Sequence, residues 1–99
     1  MYSLVLLDEA KQEWLDSAFY YEFKQKGLGE RFSKAVEDHL VLISKAPKHY
    51  KKTRKEYREA VIKHFPFLII FRIEEAKNQI VVISVFHSKR HPKRKLKKD

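Results

Sequence analysis

The residues best suited to chemistry lie in the second half of this 99-residue chain. His64 and His87 each close an apolar, β-like run, and they stand 23 positions apart. Histidine titrates near neutral pH and can carry a proton to or from a hydroxyl. Period-2 alternation puts Arg58, Ala60, Ile62 and His64 on one strand face, so Arg58 is expected to point the same way as His64. In an antiparallel meander alternate strand ends meet, which brings His64 and His87 to one sheet edge, with Lys63, Lys89, Arg90 and His91 close by. Arginine offers a fixed fork of donors that matches phosphate oxygens. RNA carries its own nucleophile, the 2′-hydroxyl, so a metal-free ribonuclease needs only a base, an acid and cations. All three residue types are present here. Read singly, each histidine fits a solvent-facing strand end equally well.

Other chemistries are set aside. The chain has no cysteine, which removes disulfides, thiolate zinc sites and a cysteine nucleophile together. There is no HExxH, and the acids of the second half are scattered. His87 and His91 would share a face only on a helix, which Pro92 opposes. No metal and no cofactor are therefore expected. No Gly-rich phosphate loop is present. His39 falls on the apolar side of a helix and reads as a satisfied, half-buried residue. Trp14, Tyr20 and Tyr21 offer ring faces for bases, but their helical spacing places them in a core or an interface.

Charge divides the chain. Residues 1–46 carry 6 basic and 8 acidic side chains, net −2, and residues 47–99 carry 16 basic and 5 acidic, net +11. An anionic partner, nucleic acid or acidic protein, is expected on the second half. Apolar residues make up 43% and aromatics 13%, enough for one core and against general disorder. The amino-terminal residues have no basic and apolar signal pattern, and no run approaches 20 apolar residues. A cytoplasmic protein is the expectation.

These groups must be positioned by a few elements. Tyr2 to Leu7 reads as a strand, and Asp8 as the cap of a helix running to about Lys24. On that helix Ala10, Trp14, Ala18 and Tyr21 form a stripe, with Leu15 and Phe19 widening it. Gly27 and Gly29, the only glycines, permit a sharp turn. A second helix from about Leu28 carries Phe32, Ala35, Val36, Leu40 and Ile43 at 3–4 spacing and stops before Pro47. Residues 48–55 read as a basic loop. Three runs follow, Glu56 to His64, Phe67 to Glu74 and Gln79 to His87, with connections short enough for antiparallel pairing. The expected class is α+β, βααβββ, with the helical hairpin packed on one face of a small, mainly antiparallel four-stranded sheet. Residues 1–92 form the domain, and residues 93–99 a basic tail expected to be flexible.

This order resembles the RelE/ParE superfamily of bacterial toxins, the toxic halves of type II toxin–antitoxin pairs. YSLVLLDEAKQEW looks like the family's opening strand and first helix. AFYYEFKQKGLGERFSKAVEDHL looks like the ParE-type helical hairpin. YREAVIKHFPFLIIFRI resembles the ParE-type arginine, basic strand end and Phe-Pro-aromatic entry to the central strand. IVVISVFHSKRHP resembles a last strand ending in His-x-basic-Arg-x-Pro. The resemblance covers roughly residues 2–92 and is closer to the ParE-like, plasmid-stabilisation members.

The resemblance carries two expectations. ParE-type members are associated with inhibition of DNA gyrase, which here would place Arg58, His87, Lys89 and Arg90 in a target-binding surface. RelE-type members are metal-independent endoribonucleases that cut mRNA in the ribosome, usually with a C-terminal aromatic as acid. Arg58 matches their phosphate-binding arginine, and Lys89 and Arg90 match the basic pair after the last strand. No Tyr or Phe follows residue 86, so His64 and His87 would have to be the catalytic proton carriers. A gyrase-binding toxin is the first expectation and a ribonuclease the alternative. A non-toxic nucleic-acid-binding domain is a third reading. Either toxin implies a cognate antitoxin with an apolar and acidic segment, docking on the exposed sides of the helical hairpin or on an edge strand. A homodimer is also compatible with the sequence.

Overall fold

The computed structural model describes residues 1–89. Along the chain come β1 (Ser3–Leu6), α1 (Asp8–Lys24), α2 (Leu28–Lys45), β2 (Lys52–Arg54), β3 (Tyr57–Val61), β4 (Phe67–Glu74) and β5 (Gln79–His87). They form one five-stranded sheet in the order β1-β5-β4-β3-β2. β1 runs parallel to β5, and the other three pairings are antiparallel. The expected α+β class, with a helical hairpin on one sheet face, is the observed one.

The strand count is corrected from four to five. Lys52–Arg54, expected to be loop, pairs with β3 opposite Arg58 and Tyr57. All three side chains are exposed, so no apolar alternation marks this strand. Backbone pairing and a tight turn through Lys55, at φ 51°, hold it instead. β3 is also shorter than the expected run, because the chain leaves the strand after Val61.

The start of α1 differs as well. Asp8 is not the cap. Leu7 holds that position with extended backbone, and no side chain caps the helix. The Leu7 N–H still bonds to the Val82 carbonyl, so sheet pairing continues to the residue before the helix. Asp8 and Glu9 instead occupy the first turn, where the helix dipole favours negative charge.

The two glycines have different roles. Gly27 turns the chain at φ +86° with open space around it. Gly29 is not part of the turn but the second residue of α2. A Cβ there would press on the Ala18 carbonyl oxygen and lie 3.0 Å from the Glu22 Cβ. The start of α2 therefore crosses α1 at a distance only glycine permits. The Glu22 carboxylate fastens this crossing, accepting the Gly27 N–H at 2.8 Å and the Gly29 N–H at 3.0 Å.

The core lies between the hairpin and the sheet face bearing Phe67, Ile69 and Phe71, with Ile80, Val82 and Val85 beside them. Phe32, Val36 and Ile43 of α2 are fully buried against it, each contributing about 1.5–3 kcal/mol by leaving water. Tyr21 joins an aromatic cluster, its ring centroid 5.2 Å from both Phe32 and Phe65. Of the expected α1 stripe, Ala10, Trp14, Ala18 and Tyr21 do pack on the core. Leu15 and Phe19 do not, and both are exposed. Each follows a core-facing, partly buried position by one residue, which rotates it about 100° away from the sheet.

A bulge in β5 ties α1 to the sheet. Ile70 pairs with Ser84 and Phe71 with Val82, leaving Ile83 as the extra residue. A bulge interrupts the ladder. Here the Glu13 carboxylate reaches down from α1 and accepts both the Val85 N–H at 3.0 Å and the Ser84 hydroxyl at 2.8 Å. Ser84 is almost fully buried, so this contact meets a demand that solvent does not.

Candidate functional site

The β3–β4 turn and the end of β5 form one edge of the sheet. Ile62 donates its N–H to the Phe67 carbonyl at 3.0 Å, and Phe67 pairs with His87. Ser88 binds the turn from the other side, giving both its N–H, at 2.9 Å, and its hydroxyl, at 3.1 Å, to the Pro66 carbonyl. Phe65 packs against both Tyr21 and Phe32, which also touch each other. The turn is thereby anchored inward at Phe65, and Lys63 and His64 stand exposed.

His64, His87 and Lys89 thus share the expected edge, but their settings differ. His64 has φ 73°, in the left-handed region that histidine tolerates better than most residues. Strand alternation ends before it, so it does not continue the Arg58–Ala60–Ile62 face. His87 is half-buried, its ring edge-on to Phe67 at 4.9 Å. It borders a recess of about 60 Å³ with Asp16, Ser17, Tyr20 and Tyr21 of α1. Lys89 is exposed. The backbones of Ile62 and His87 lie two strand spacings apart, about 10 Å. Arg90 lies outside the described residues, as do His91 and the segment 93–99.

Arg58 belongs to the opposite end of β3. It pairs with Phe71, four rungs from Phe67, or about 13 Å along the strand. Its Nη1 donates to the Tyr50 carbonyl at 2.6 Å and the Lys48 carbonyl at 3.4 Å. These bonds clamp the segment that joins α2 to β2. The structure therefore does not bring Arg58 together with His64 and His87.

Around Arg58 lies a charge cluster that sequence reasoning missed. Lys48 pairs with Glu75 at 2.9 Å, and the Tyr2 hydroxyl donates to Glu75 at 3.3 Å. The hydrogen bond from Lys48 holds the Glu75 carboxyl below its ordinary range, with help from the Lys48 charge and the Tyr2 hydroxyl. The same bond raises the Lys48 ammonium. The partners are 27 positions apart and meet only when the sheet forms. Beside this cluster Lys51, Lys52, Arg54 and Lys55 are all exposed, so the outer edge of the sheet is a basic strip.

The remaining sequence candidates resolve simply. His39 is half-buried, its Nδ1 2.8 Å from the Ala35 carbonyl oxygen. The Trp14 indole N–H donates to the Ser33 hydroxyl oxygen at 3.0 Å. Tyr20 is exposed, with the Lys24 ammonium 5.4 Å from its ring centroid. Among the described residues no three His, Asp or Glu side chains gather so as to hold a metal ion. No helix among them is long and apolar enough to cross a membrane.

Comparison with known proteins agrees with this architecture. The family model for the ParE toxin of the type II toxin–antitoxin system parDE matches residues 4–92. A solved structure of the chromosomal ParDE TA system from P. aeruginosa aligns with a TM-score of 0.66 at 17% identity, over 88% of this chain and 96% of that one. The intact E. coli RelBE toxin–antitoxin complex gives 0.68 at 18% identity, over 91% and 100%. The isolated E. coli RelE toxin also gives 0.68 at 18%, over 91% and 87%. No curated protein matches. The two structural groups share the fold about equally, and the family model, which spans nearly the whole described chain, makes this protein a member of the ParE toxin family of type II toxin–antitoxin systems.

Proposed function

We propose that this toxin acts in the cytoplasm by binding and inhibiting DNA gyrase rather than by cutting RNA. The observation that carries the reading is the separation of the groups a nuclease would need to converge. Arg58 is committed to two backbone carbonyls, His64 serves a left-handed turn, and His87 packs on Phe67. Such groups suit a surface that recognises rather than a centre that moves protons. Lys63, Lys89 and Arg90 would supply its positive charge, with His87 shaping its floor and Arg58 holding the neighbouring basic strip in place.

The natural partner in this reading is a cognate antitoxin. Its acidic segment would be drawn to the basic half, along the exposed edge of β2, where an extended chain can add its own backbone bonds. Binding there would cover Lys51, Lys52, Arg54 and Lys55 and neutralise much of their field.

Purified toxin in a gyrase supercoiling reaction tests the proposal. Inhibition or trapped cleaved DNA at micromolar toxin, relieved by Lys89→Glu, is the expected result. Unimpaired supercoiling would overturn it. Codon-phased mRNA cuts that persist in EDTA and vanish in His87→Ala would replace it with the ribonuclease.

A further inference from the structure

The two central strands are apolar on both faces. Phe67, Ile69 and Phe71 of β4 belong to the core under the hairpin, so alternation turns Leu68, Ile70 and Arg72 to the other face of the sheet. Phe86 pairs with Leu68 there, and Val81 with Arg72. An antiparallel sheet solvated on that side would carry polar residues at these positions. Instead Leu68, Ile70, Val81, Ile83 and Phe86 are each no more than 9% exposed, and Ile70 is fully buried. Glu59, opposite Ile70 on β3, is half-buried, with its Oε2 out of contact with solvent. Yet both α-helices pack on the hairpin side, and all five described strands belong to the sheet itself. Val5 and Val61, on the flanking strands of the same face, are exposed. The covered strip therefore follows β4 and β5.

We propose that residues 90–99, which lie outside the described residues, fold back across this strip as its cover. The strip is already withdrawn from solvent within a single chain, so its cover belongs to that chain and not to a second copy or a partner. Ser88 and Lys89 form a turn directly after β5, and Ser88 is fastened by two bonds to the Pro66 carbonyl. The chain thus leaves the strand direction where the strip begins, beside Phe86. From Phe86 to Val81 the strip spans about 17 Å, and ten further residues reach up to about 33 Å. Their composition suits the task. Leu96 supplies an apolar contact. The six Lys and Arg side chains of this segment lay aliphatic stems on the strip and keep their charges at its rim, where Glu59 offers the opposite charge. Residues 90–99 become a second layer of the domain.

A nitroxide on Lys95→Cys tests the proposal in the full chain, which has no other cysteine. Methyl broadening at Leu68 and Ile70 should exceed that at Val36 and Ile43 of α2 at least about tenfold, because broadening falls with the sixth power of distance and packed layers lie roughly 10 Å apart. Trypsin supplies a second reading. Cleavage within residues 90–98 tracks the fraction of molecules whose segment is lifted from the sheet. Glu59→Gln, remote from every bond cut there, should speed this cleavage about two- to fivefold, the range expected for a partly exposed ion pair. Equal broadening of both faces, or broadening carried only to an unlabelled second copy in a mixed sample, would overturn the proposal. So would cleavage indifferent to Glu59→Gln.

Discussion

Replacing Gly29 with alanine opposes two effects whose balance the structure decides. In an isolated helix the change would stabilise by about 1 kcal/mol, since alanine is the better helix former. Here the new methyl would press on the Ala18 carbonyl oxygen and on Glu22. The first of these is helix backbone and cannot swing aside. The start of α2 must withdraw on the order of 1 Å to regain ordinary contact near 3.5 Å. Overpacking of this kind costs about 1–3 kcal/mol. The same displacement pulls the Gly27 and Gly29 N–H groups off the Glu22 carboxylate, which they now approach at 2.8 and 3.0 Å. Hydrogen bonds to a charged group contribute about 1.5–3 kcal/mol, reduced here by partial exposure. Set against the propensity gain, the net expectation is a loss of about 2 kcal/mol. For a domain of this size that lowers Tm by roughly 8–16 °C. Thermal and urea unfolding of the purified full chain, followed by far-UV circular dichroism, measures it. Gly27→Ala is the control. It meets no atom within 4 Å but keeps a φ of +86°, so it should lose only about 1–2 kcal/mol. A Gly29→Ala variant as stable as the parent would refute the close-crossing account.

Further outcomes follow from other contacts. Glu13→Ala leaves the Val85 N–H at the bulge without its acceptor and should cost about 1–3 kcal/mol, read from the urea midpoint at constant slope. Arg58→Met frees the Lys48 and Tyr50 carbonyls and should lower stability by about 1–2 kcal/mol; unchanged stability with lost toxicity would instead give Arg58 a direct role at the target. His64→Gly should keep or slightly raise Tm, because glycine takes the left-handed turn without strain, whereas His64→Val should lower it. The Lys48–Glu75 pair has a pH signature of definite sign. Glu75 sits below its ordinary value when folded, so its contribution is complete above that value and disappears as pH falls through the folded one. Lys48 is raised, so its contribution is complete below the ordinary ammonium value and disappears as pH rises through the folded one. Glu75→Gln should lower the plateau between the two arms slightly, as expected for an exposed pair, and leave both extremes of pH unchanged, so that each arm flattens.

The order of helices and strands was legible because it is written in local periodicities. Phe32, Val36, Leu40 and Ile43 mark the buried face of α2 by spacing alone, and the Ile- and Val-rich runs of β4 and β5 match the observed strands from end to end. β2 escaped because Lys52, Thr53 and Arg54 all face solvent. A strand held only by backbone pairing leaves no pattern in its side chains. Gly29 could be identified as special, but its reason lies in Ala18 and Glu22 on another helix. The candidate site divides in the same way. Sequence order and the meander sufficed to put His64, His87 and Lys89 at one edge, since antiparallel connectivity determines which strand ends meet. The reach and partners of Arg58 depend on the path of residues 48–50, and the Lys48–Glu75 pair on strands that are neighbours only in the finished sheet. The exposure of Leu15, Phe19 and Phe23 was likewise decided by packing. An apolar residue can turn either way on a helix, and only the rotation that packed Ala10, Trp14 and Tyr21 against the core left this ridge facing out.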